Sequence, residues 1–361
     1  MSSKILRTVI IPMAIMGMIL MVGCSDSKVS GKDSQTITDK IVDDFIDSTY
    51  EDLQTDAAAS QYAAADNEEP YGPPKPEAVL PPGETVIDFI VKDNLILALV
   101  GDGLLVHDLS DGSNVLIATA TPPGAIVDLG EKVLIGSDNL YTFNGETLTL
   151  NDYDLDLAGQ ITALHHRGPR LYIGTQSALY EVKADNIREL AGDIQVSALA
   201  TDDYGLWVGT AGDGLYFWNG DDFQKRFLRR DTTIFDNVTA LASHYGHVYV
   251  GTTRGFFDYD GGRWNQFTSV DGLPSDVITA INAGEWVVKI GTVNGAVTFF
   301  NNEINNLDRF DGIAVTALNK VDRKLIAATV GYGLVMESGG LLTTLFNEEE
   351  YETEVALEEV P

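Results

Sequence analysis

Apolar and polar positions follow a repeating pattern along most of the chain. Between residues 84 and 346, a short apolar strand such as Val238-Thr239-Ala240-Leu241 precedes a polar stretch, a second strand that ends in Gly-Thr, and a third strand that opens with Gly-Leu or a similar pair. Aligned on the Gly-Thr glycine or the residue in its place, the copies fall at positions 98, 136, 174, 209, 251, 291 and 328, with spacings of 38, 38, 35, 42, 40 and 37 residues. A period of about 38 residues is typical of one β-propeller blade.

Turn residues predict a fourth strand in each copy. Asn-Gly or Asp-Gly between apolar runs is a strong hairpin signal, because a type I′ turn needs positive φ at both central residues. Such pairs, or Ser-Gly, follow the third strand at Asp111-Gly112, Asn144-Gly145, Asn219-Gly220, Asp260-Gly261 and Ser338-Gly339. The pattern predicts an all-β fold, a seven-bladed propeller of four-stranded antiparallel blades over residues 85–346. Each copy supplies its own four strands, so side-chain packing is expected to close the ring. Aromatic residues of the second strands are predicted to lie in the core between blades.

Two runs carry a resemblance to a known family. Asp271-Gly272-Leu273-Pro274-Ser275-Asp276-Val277-Ile278-Thr279-Ala280, with Ile290-Gly291-Thr292, and Gly205-Leu206-Trp207-Val208-Gly209-Thr210 resemble the two-component-regulator propeller repeat. The resemblance implies a ligand-binding sensor domain, since these propellers form periplasmic sensor regions of hybrid histidine kinases and also occur in stand-alone secreted proteins. Only fifteen residues follow position 346. We therefore expect any signal to pass through a separate partner.

The N-terminus predicts export and lipidation. Lys4 and Arg7 precede an uncharged, mostly apolar run, and residues 1–23 have the features of a signal peptide. Leu20-Met21-Val22-Gly23-Cys24 resembles the lipobox of bacterial lipoproteins, although Met21 stands where Leu is most common. The resemblance implies that Cys24 carries fatty acids such as palmitate and is the mature N-terminus. Ser25 after the cysteine favours the periplasmic side of the outer membrane over the inner membrane. The alternative is a signal anchor with a buried structural cysteine.

Acidic segments flank the predicted propeller. Residues 25–84 contain 14 acidic residues and four lysines, a local net charge of −10, and include a Pro-rich stretch at 70–76. Because low hydrophobicity and like-charge repulsion oppose a packed core, residues 24–84 are predicted to be a disordered acidic tether. Residues 347–361 contain seven glutamates and no basic residue, and are predicted to be a disordered, solvated tail.

Overall charge and cysteine content exclude several functions. The chain has 54 acidic and 23 basic residues, for a net charge of −31. A field of this sign repels the phosphate backbone, so no nucleic-acid partner is expected. The single cysteine excludes an internal disulfide and a Cys-rich zinc site, since each needs at least two thiols.

Candidate chemistry is sparse. The histidine pairs His165-His166 and His244-x-x-His247 are predicted to lie in loops between the first and second strands of two blades. They could supply metal ligands, but no third ligand is evident, so no metal or other cofactor is predicted. Nucleophile motifs of the Gly-x-Ser-x-Gly type and phosphate-binding glycine loops before helices are absent from the sequence. The sequence therefore favours a protein without enzymatic activity but leaves the question open.

The most informative variable position is the residue before each third strand. Across the blades it is Asp102, Asp138, Ser177, Asp213, Arg254, Asn294 and Tyr332. The turns that carry these residues are expected to share one face around the channel mouth, where loops on a rigid scaffold bind ligands. Arg254 among three aspartates could select an anionic group. The alternative is that these are ordinary turn residues, in which Asp and Asn are common.

Together these observations predict a membrane-anchored extracytoplasmic binding or scaffold protein. Its loop face would recognise a protein partner of the cell envelope or a small-molecule ligand. One alternative is a periplasmic sensor input for a separate signalling kinase. Another is a lyase or glycan-processing enzyme with paired carboxylates at the channel mouth, although the sequence places no two carboxylates at working distance.

Overall fold

Seven sheets, each with four consecutive antiparallel strands, form most of the described part of the chain, and one of them has a fifth, parallel strand. The structure is a computed structural model and describes residues 85–151, 157–184, 186–226, 237–284, 287–321, 324–338, 341–345 and 352–354. The predicted signal peptide (1–23) and tether (24–84) lie outside the described residues. The predicted seven-bladed propeller is confirmed, with one blade for each copy of the repeat.

Strand bounds follow the repeat closely. The first four blades comprise β1 (Asp88–Lys92), β2 (Leu95–Val100), β3 (Gly103–Asp108), β4 (Asn114–Ala118), β5 (Ala125–Asp128), β6 (Val133–Gly136), β7 (Leu140–Phe143), β8 (Leu148–Leu150), β9 (Ile161–Arg167), β10 (Arg170–Thr175), β11 (Ala178–Lys183), β12 (Asn186–Gly192), β13 (Val196–Thr201), β14 (Leu206–Thr210), β15 (Gly214–Trp218) and β16 (Phe223–Arg226). The last three comprise β17 (Val238–His244), β18 (His247–Thr252), β19 (Gly255–Tyr259), β20 (Trp264–Phe267), β21 (Ile278–Ala283), β22 (Val288–Thr292), β23 (Gly295–Phe300), β24 (Glu303–Asn306), β25 (Val315–Val321), β26 (Lys324–Thr329), β27 (Gly333–Ser338) and β28 (Leu341–Thr344).

Few other elements are present among the described residues. Two short 3₁₀ turns, Ser269–Asp271 and Asp308–Phe310, precede the first strands of blades 6 and 7. Within the predicted acidic tail, Glu352–Glu354 form a further strand, β29, which pairs in parallel with β4 at Val115, Leu116 and Ile117. The other tail residues after 346 lie outside the described part. No described helix is long and apolar enough to cross a membrane.

The hydrophobic core lies between the blades. The described apolar residues form seven buried clusters, and each contains residues of two adjacent blades. The second-strand aromatics belong to these clusters, as predicted: Trp207 of blade 4 packs with Phe257 of blade 5. Because each blade covers its neighbour's apolar face, burial of these clusters holds the blades in a ring.

The ring closes where blade 1 packs against blade 7; each of these blades has its own four consecutive strands, and the tail strand β29 extends the outer edge of blade 1. The first strands of successive blades contact one another, and β1 contacts β25 of blade 7. One buried cluster joins Phe89 of blade 1 to Ile326 of blade 7. The Thr316 hydroxyl also donates a hydrogen bond of 2.6 Å to the Val86 carbonyl. The expected packing between blades 1 and 7 is therefore present, and a backbone bridge between Thr85 and Val330 adds to it.

The Thr316 hydrogen bond belongs to an inner belt. At the equivalent position of the first strand, Thr162 and Ser197 each donate a 2.6 Å hydrogen bond to the next blade, accepted by the carbonyls of Val196 and Val238. Thr279 makes the same contact with the Val315 carbonyl. The first-strand hydroxyls therefore join neighbouring blades. Thr239 is an exception, because its buried hydroxyl has no hydrogen-bond partner among the described residues.

Candidate functional site

A buried threonine fixes each turn between the second and third strands of blades 3 to 7. Thr175, Thr210, Thr252, Thr292 and Thr329 have no exposed surface. In blades 4 to 7 each hydroxyl donates a hydrogen bond to the carbonyl of the first residue of the next strand, over distances of 2.7 to 2.9 Å. The Thr175 hydroxyl lies 3.2 Å from the equivalent carbonyl, of Ala178, and 2.6 Å from the Ala158 carbonyl. Four of these five threonines are those of the Gly-Thr signature, and Thr329 follows Ala328 at the equivalent position, so this threonine stabilises the turn itself.

The same threonines also accept hydrogen bonds from the backbone of four predicted site residues. The backbone N–H groups of Ser177, Asp213, Arg254 and Asn294 donate to the threonine hydroxyls over distances of 3.0 to 3.2 Å. A buried hydroxyl thus fixes the backbone at each of these turn positions, whereas the type of side chain differs from blade to blade. We call the ends of the blades that carry these turns the turn face, and the other ends the opposite face.

All seven predicted residues lie on the turn face. The exposed ones are Asp102, Asp138, Ser177, Arg254 and Asn294, whereas Asp213 and Tyr332 are half-buried. Among the described residues, no two of the seven form a hydrogen bond or ion pair with each other. Tyr332 packs against the core between blades 6 and 7. The structure therefore places the seven on equivalent turns but joins none of them into a cluster.

Asp213 differs from the other aspartates because its carboxylate is engaged within blade 4. Lys225 Nζ lies 2.5 Å from Oδ1, and the Tyr216 hydroxyl donates to Oδ2. Burial alone would raise the pKa of Asp213, but hydrogen bonds from Lys225 and Tyr216 outweigh it and lower the pKa below its ordinary value. Burial and the neighbouring Asp213 raise the pKa of Tyr216 to about 12. Asp213 is therefore less available to a ligand than Asp102 or Asp138.

The innermost strand of blade 1 carries a carboxyl group that titrates near neutral pH. Burial raises the pKa of Asp88 to about 6, and the hydrogen bond that Asp88 accepts from the Phe89 N–H (2.8 Å) offsets only part of this effect. At the end of the same strand, Lys92 Nζ lies 2.8 Å from Asp128 Oδ1 of blade 2. The inner strands thus contain titratable groups that the repeat pattern did not identify, because only the surroundings distinguish Asp88 from other aspartates.

The histidines lie on strands, which corrects their predicted place in loops. His165 and His166 belong to β9, and His244 and His247 are directly paired residues of β17 and β18. The loops are shorter than expected because two-residue turns connect these strands, with Tyr245 and Gly246 both at positive φ.

Each histidine pair has its own surroundings. Burial and neighbouring His166 lower the pKa of His165 to about 4, and its Nε2 lies 2.9 Å from the Thr201 hydroxyl. His247 Nδ1 lies 2.7 Å from Asp258 Oδ1. Within the described ranges, no three His, Cys, Asp or Glu residues lie close enough together to hold a metal ion.

Comparison with known proteins agrees on the fold. No family model matches the chain, and no curated protein matches its sequence. The extracellular domain of the one component system BT4673 from B. thetaiotaomicron has a TM-score of 0.60 at 18% identity, over 72% of this chain and 39% of that chain. The extracellular domain of the hybrid two component system BT3049 from B. thetaiotaomicron has a TM-score of 0.60 at 14% identity, over 75% and 41%.

A propeller of another kind is similar to the same degree. The WD40 β-propeller domain of Doa1 has a TM-score of 0.58 at 12% identity, over 72% of this chain and 95% of that chain. This chain spans about two fifths of the length of the two B. thetaiotaomicron chains. At these identities the likeness shows the fold alone. The protein is a seven-bladed β-propeller whose described residues are almost entirely β-strands and turns.

Proposed function

We propose that this protein is an extracytoplasmic recognition protein. In this proposal, acylated Cys24 holds the propeller at a membrane of the cell envelope, with the periplasmic side of the outer membrane favoured over the inner membrane. The turn face then binds a protein partner of the envelope or a small-molecule ligand. The lipid confines the propeller near the membrane and so raises its effective concentration towards a membrane-bound partner.

One observation carries the proposal for the turn face. Buried threonine hydroxyls fix the backbone of Ser177, Asp213, Arg254 and Asn294, while the side chains at these equivalent positions differ in charge and size. A rigid scaffold with varied side chains at equivalent turns is the usual arrangement of a binding face. Arg254 is exposed in a strongly acidic chain, which suits recognition of an anionic group.

A sensor role is the second candidate. Two of the similar solved structures are extracellular domains, one of a one component system and one of a hybrid two component system. By analogy, the propeller would bind a ligand and pass the signal to a separate signalling protein. The two candidates share the turn face and differ in what the propeller contacts when a ligand is bound.

Substitution of the predicted lipidated residue tests the anchor. We expect wild-type protein to sediment with membranes and to need detergent for release, whereas Cys24→Ser leaves the protein in the soluble fraction. The reason is that, in this proposal, two acyl chains supply most of the membrane affinity of the protein. Immunoblots of fractionated cells measure the distribution. Unchanged sedimentation of Cys24→Ser would rule out the acyl anchor.

Site-specific photo-crosslinking tests the turn face. A photoreactive amino acid at Ser177 or Asn294 is expected to give a discrete adduct in intact cells, and the same group at Asp111 or Asp260 on the opposite face is expected to give none. Adding Arg254→Gln should reduce the adduct about tenfold or more, because a charge-assisted contact contributes about 1.5–3 kcal/mol.

Arg263→Gln is the matched control for Arg254→Gln. Its guanidinium is 74% exposed, lies on the opposite face and pairs only weakly with Asp260 at 3.5 Å. The control should leave the adduct unchanged. Equal adducts from both faces, or an adduct insensitive to Arg254→Gln, would contradict recognition by the turn face. If the adduct contains a membrane signalling protein, the sensor role is favoured over a scaffold role.

A further inference from the structure

Three basic residues stand side by side at the opposite face of blade 3. Arg170 of β10 is directly paired with Arg167 of β9 on one side and with Lys183 of β11 on the other. Like charges directly opposite each other on a sheet destabilise it. A row of three is unexpected in a chain with 54 acidic and 23 basic residues. The row therefore opposes the stability of the blade, and a ligand of opposite charge would offset that repulsion.

A single buried carboxylate orients the arginines at this site. Glu181 Oε1 lies 3.3 Å from Arg170 Nη1, and Glu181 Oε2 lies 3.3 Å from Arg188 Nη2. The Glu181 side chain is only 11% exposed, whereas those of Arg170 and Arg188 are 44% and 51% exposed. The carboxylate thus contacts both guanidinium groups on their buried side. Because each guanidinium has five N–H donors, donors remain for a ligand from solvent.

These groups line a cleft between blades 3 and 4. Its volume is about 530 Å³, and its walls include Lys183 and Arg188 of blade 3 and the Gly220-Asp221 turn of blade 4. Arg188 lies 5.5 Å from the centre of the Trp218 ring of blade 4, whose buried Nε1 has no acceptor among the described residues. The lining holds three cations, Arg170, Lys183 and Arg188, against two carboxylates, Glu181 and Asp221, a net charge of +1.

We propose that this cleft binds an oxyanion group: a carboxylate, a phosphate or a sulfate. The two guanidinium groups match the geometry of such groups, and the Lys183 ammonium adds a mobile third donor. The site is independent of the proposed function, because it lies at the opposite ends of the strands from the turn face. The oxyanion belongs either to a small soluble molecule or to an acidic peptide of a separate protein.

Calorimetric titration of the full chain in detergent tests the proposal. The probes are inorganic phosphate, inorganic sulfate, citrate and a synthetic oligoglutamate peptide, with chloride of matched ionic strength as the reference. We expect saturable binding of at least one probe. Lys183→Gln should weaken it about tenfold or more, since a charge-assisted hydrogen bond is lost. Tighter binding of the peptide identifies a peptide source, and tighter binding of a free anion identifies a small molecule.

Two further variants serve as controls for the effect of Lys183→Gln on binding. Lys183→Arg retains the charge and should retain binding, whereas Arg263→Gln removes an exposed cation of blade 5 and should change nothing. Thermal unfolding of each variant confirms that it is folded, and Lys183→Gln should be no less stable than wild type because it relieves the like-charge row. Absence of saturable binding by all four probes, or equal binding by wild type and Lys183→Gln, would overturn the proposal.

Discussion

Gly209→Ala is expected to lower the free energy of unfolding by about 3 kcal/mol, the upper end of the usual cost of overpacking a core. A Cβ atom at this position would lie 2.4 Å from Val238 Cγ1 and 2.9 Å from Val238 Cβ. Val238 is a buried residue of blade 5, and its short branched side chain has little room to turn away. The two blades would therefore have to separate. Urea denaturation followed by tryptophan fluorescence measures the change.

Val238→Ala provides the internal check on this explanation. Alone, it leaves a cavity and is expected to destabilise the protein by about 2 kcal/mol. In the double variant the new methyl group occupies part of that cavity, so the combined loss should be smaller than the sum by about 1 kcal/mol or more. Gly101→Ala is the matched control, since nothing lies within 4 Å of a Cβ there. If the losses simply added, the clash with Val238 would not be the cause.

Asp88→Asn is expected to remove a pH-dependent loss of stability. The pKa of Asp88 is raised from 3.8 to about 6 in the folded protein. The folded state therefore holds a proton that the unfolded state releases between these values, and wild-type stability falls as the pH rises through this window. The asparagine has no charge to bury, so its advantage should grow from about pH 4 and level off above about pH 6. A two-unit shift sets an upper limit of about 3 kcal/mol, reduced by water that reaches this half-buried side chain.

Asp111→Asn is the control for Asp88→Asn, and its effect should have the opposite sign. Asp111 is fully exposed, and hydrogen bonds from Ser113 lower its pKa, so its ionised form favours the folded state. The control variant should lose a little stability, by a nearly constant amount between pH 4 and pH 8, because the lowered pKa of Asp111 lies below this range. Thermal unfolding of both variants from pH 4 to pH 8 provides the comparison. A constant offset between Asp88→Asn and wild type across this range would show that Asp88 does not titrate in the window.

Much of the fold could be predicted because its signals are local. The alternation of apolar residues and the Asn-Gly and Asp-Gly turns lie within single hairpins, so the number, order and approximate bounds of the strands follow from short segments. The fourth strand Trp264–Phe267, for example, follows the Asp260-Gly261 turn, as that turn predicts. The histidines were misplaced by a residue or two because the first and second strands extend further into their turns than the apolar pattern does.

The properties of the candidate sites depend on contacts between residues that are far apart in the sequence. The position of the variable turn residues followed from the repeat, but the hydrogen bonds that engage Asp213 with Tyr216 and Lys225 did not. The row formed by Arg167, Arg170 and Lys183 spans three strands, and only their register makes these residues neighbours. The Asp88 carboxyl group has an unusual pKa because of burial, which no local motif encodes.

The sequence by itself determined the architecture of seven complete blades, and it also predicted the export signal, Cys24 lipidation and the acidic tether. Hairpin geometry is set within a few residues, so the repeat was sufficient for the blades. Only the tertiary structure decided why the repeat contains Gly-Thr. The glycine makes room for a valine or isoleucine of the next blade, as Gly209 does for Val238, and the threonine bonds the following turn. The sequence pattern alone did not show this reason, because the closest contact at the glycine joins two different copies of the repeat.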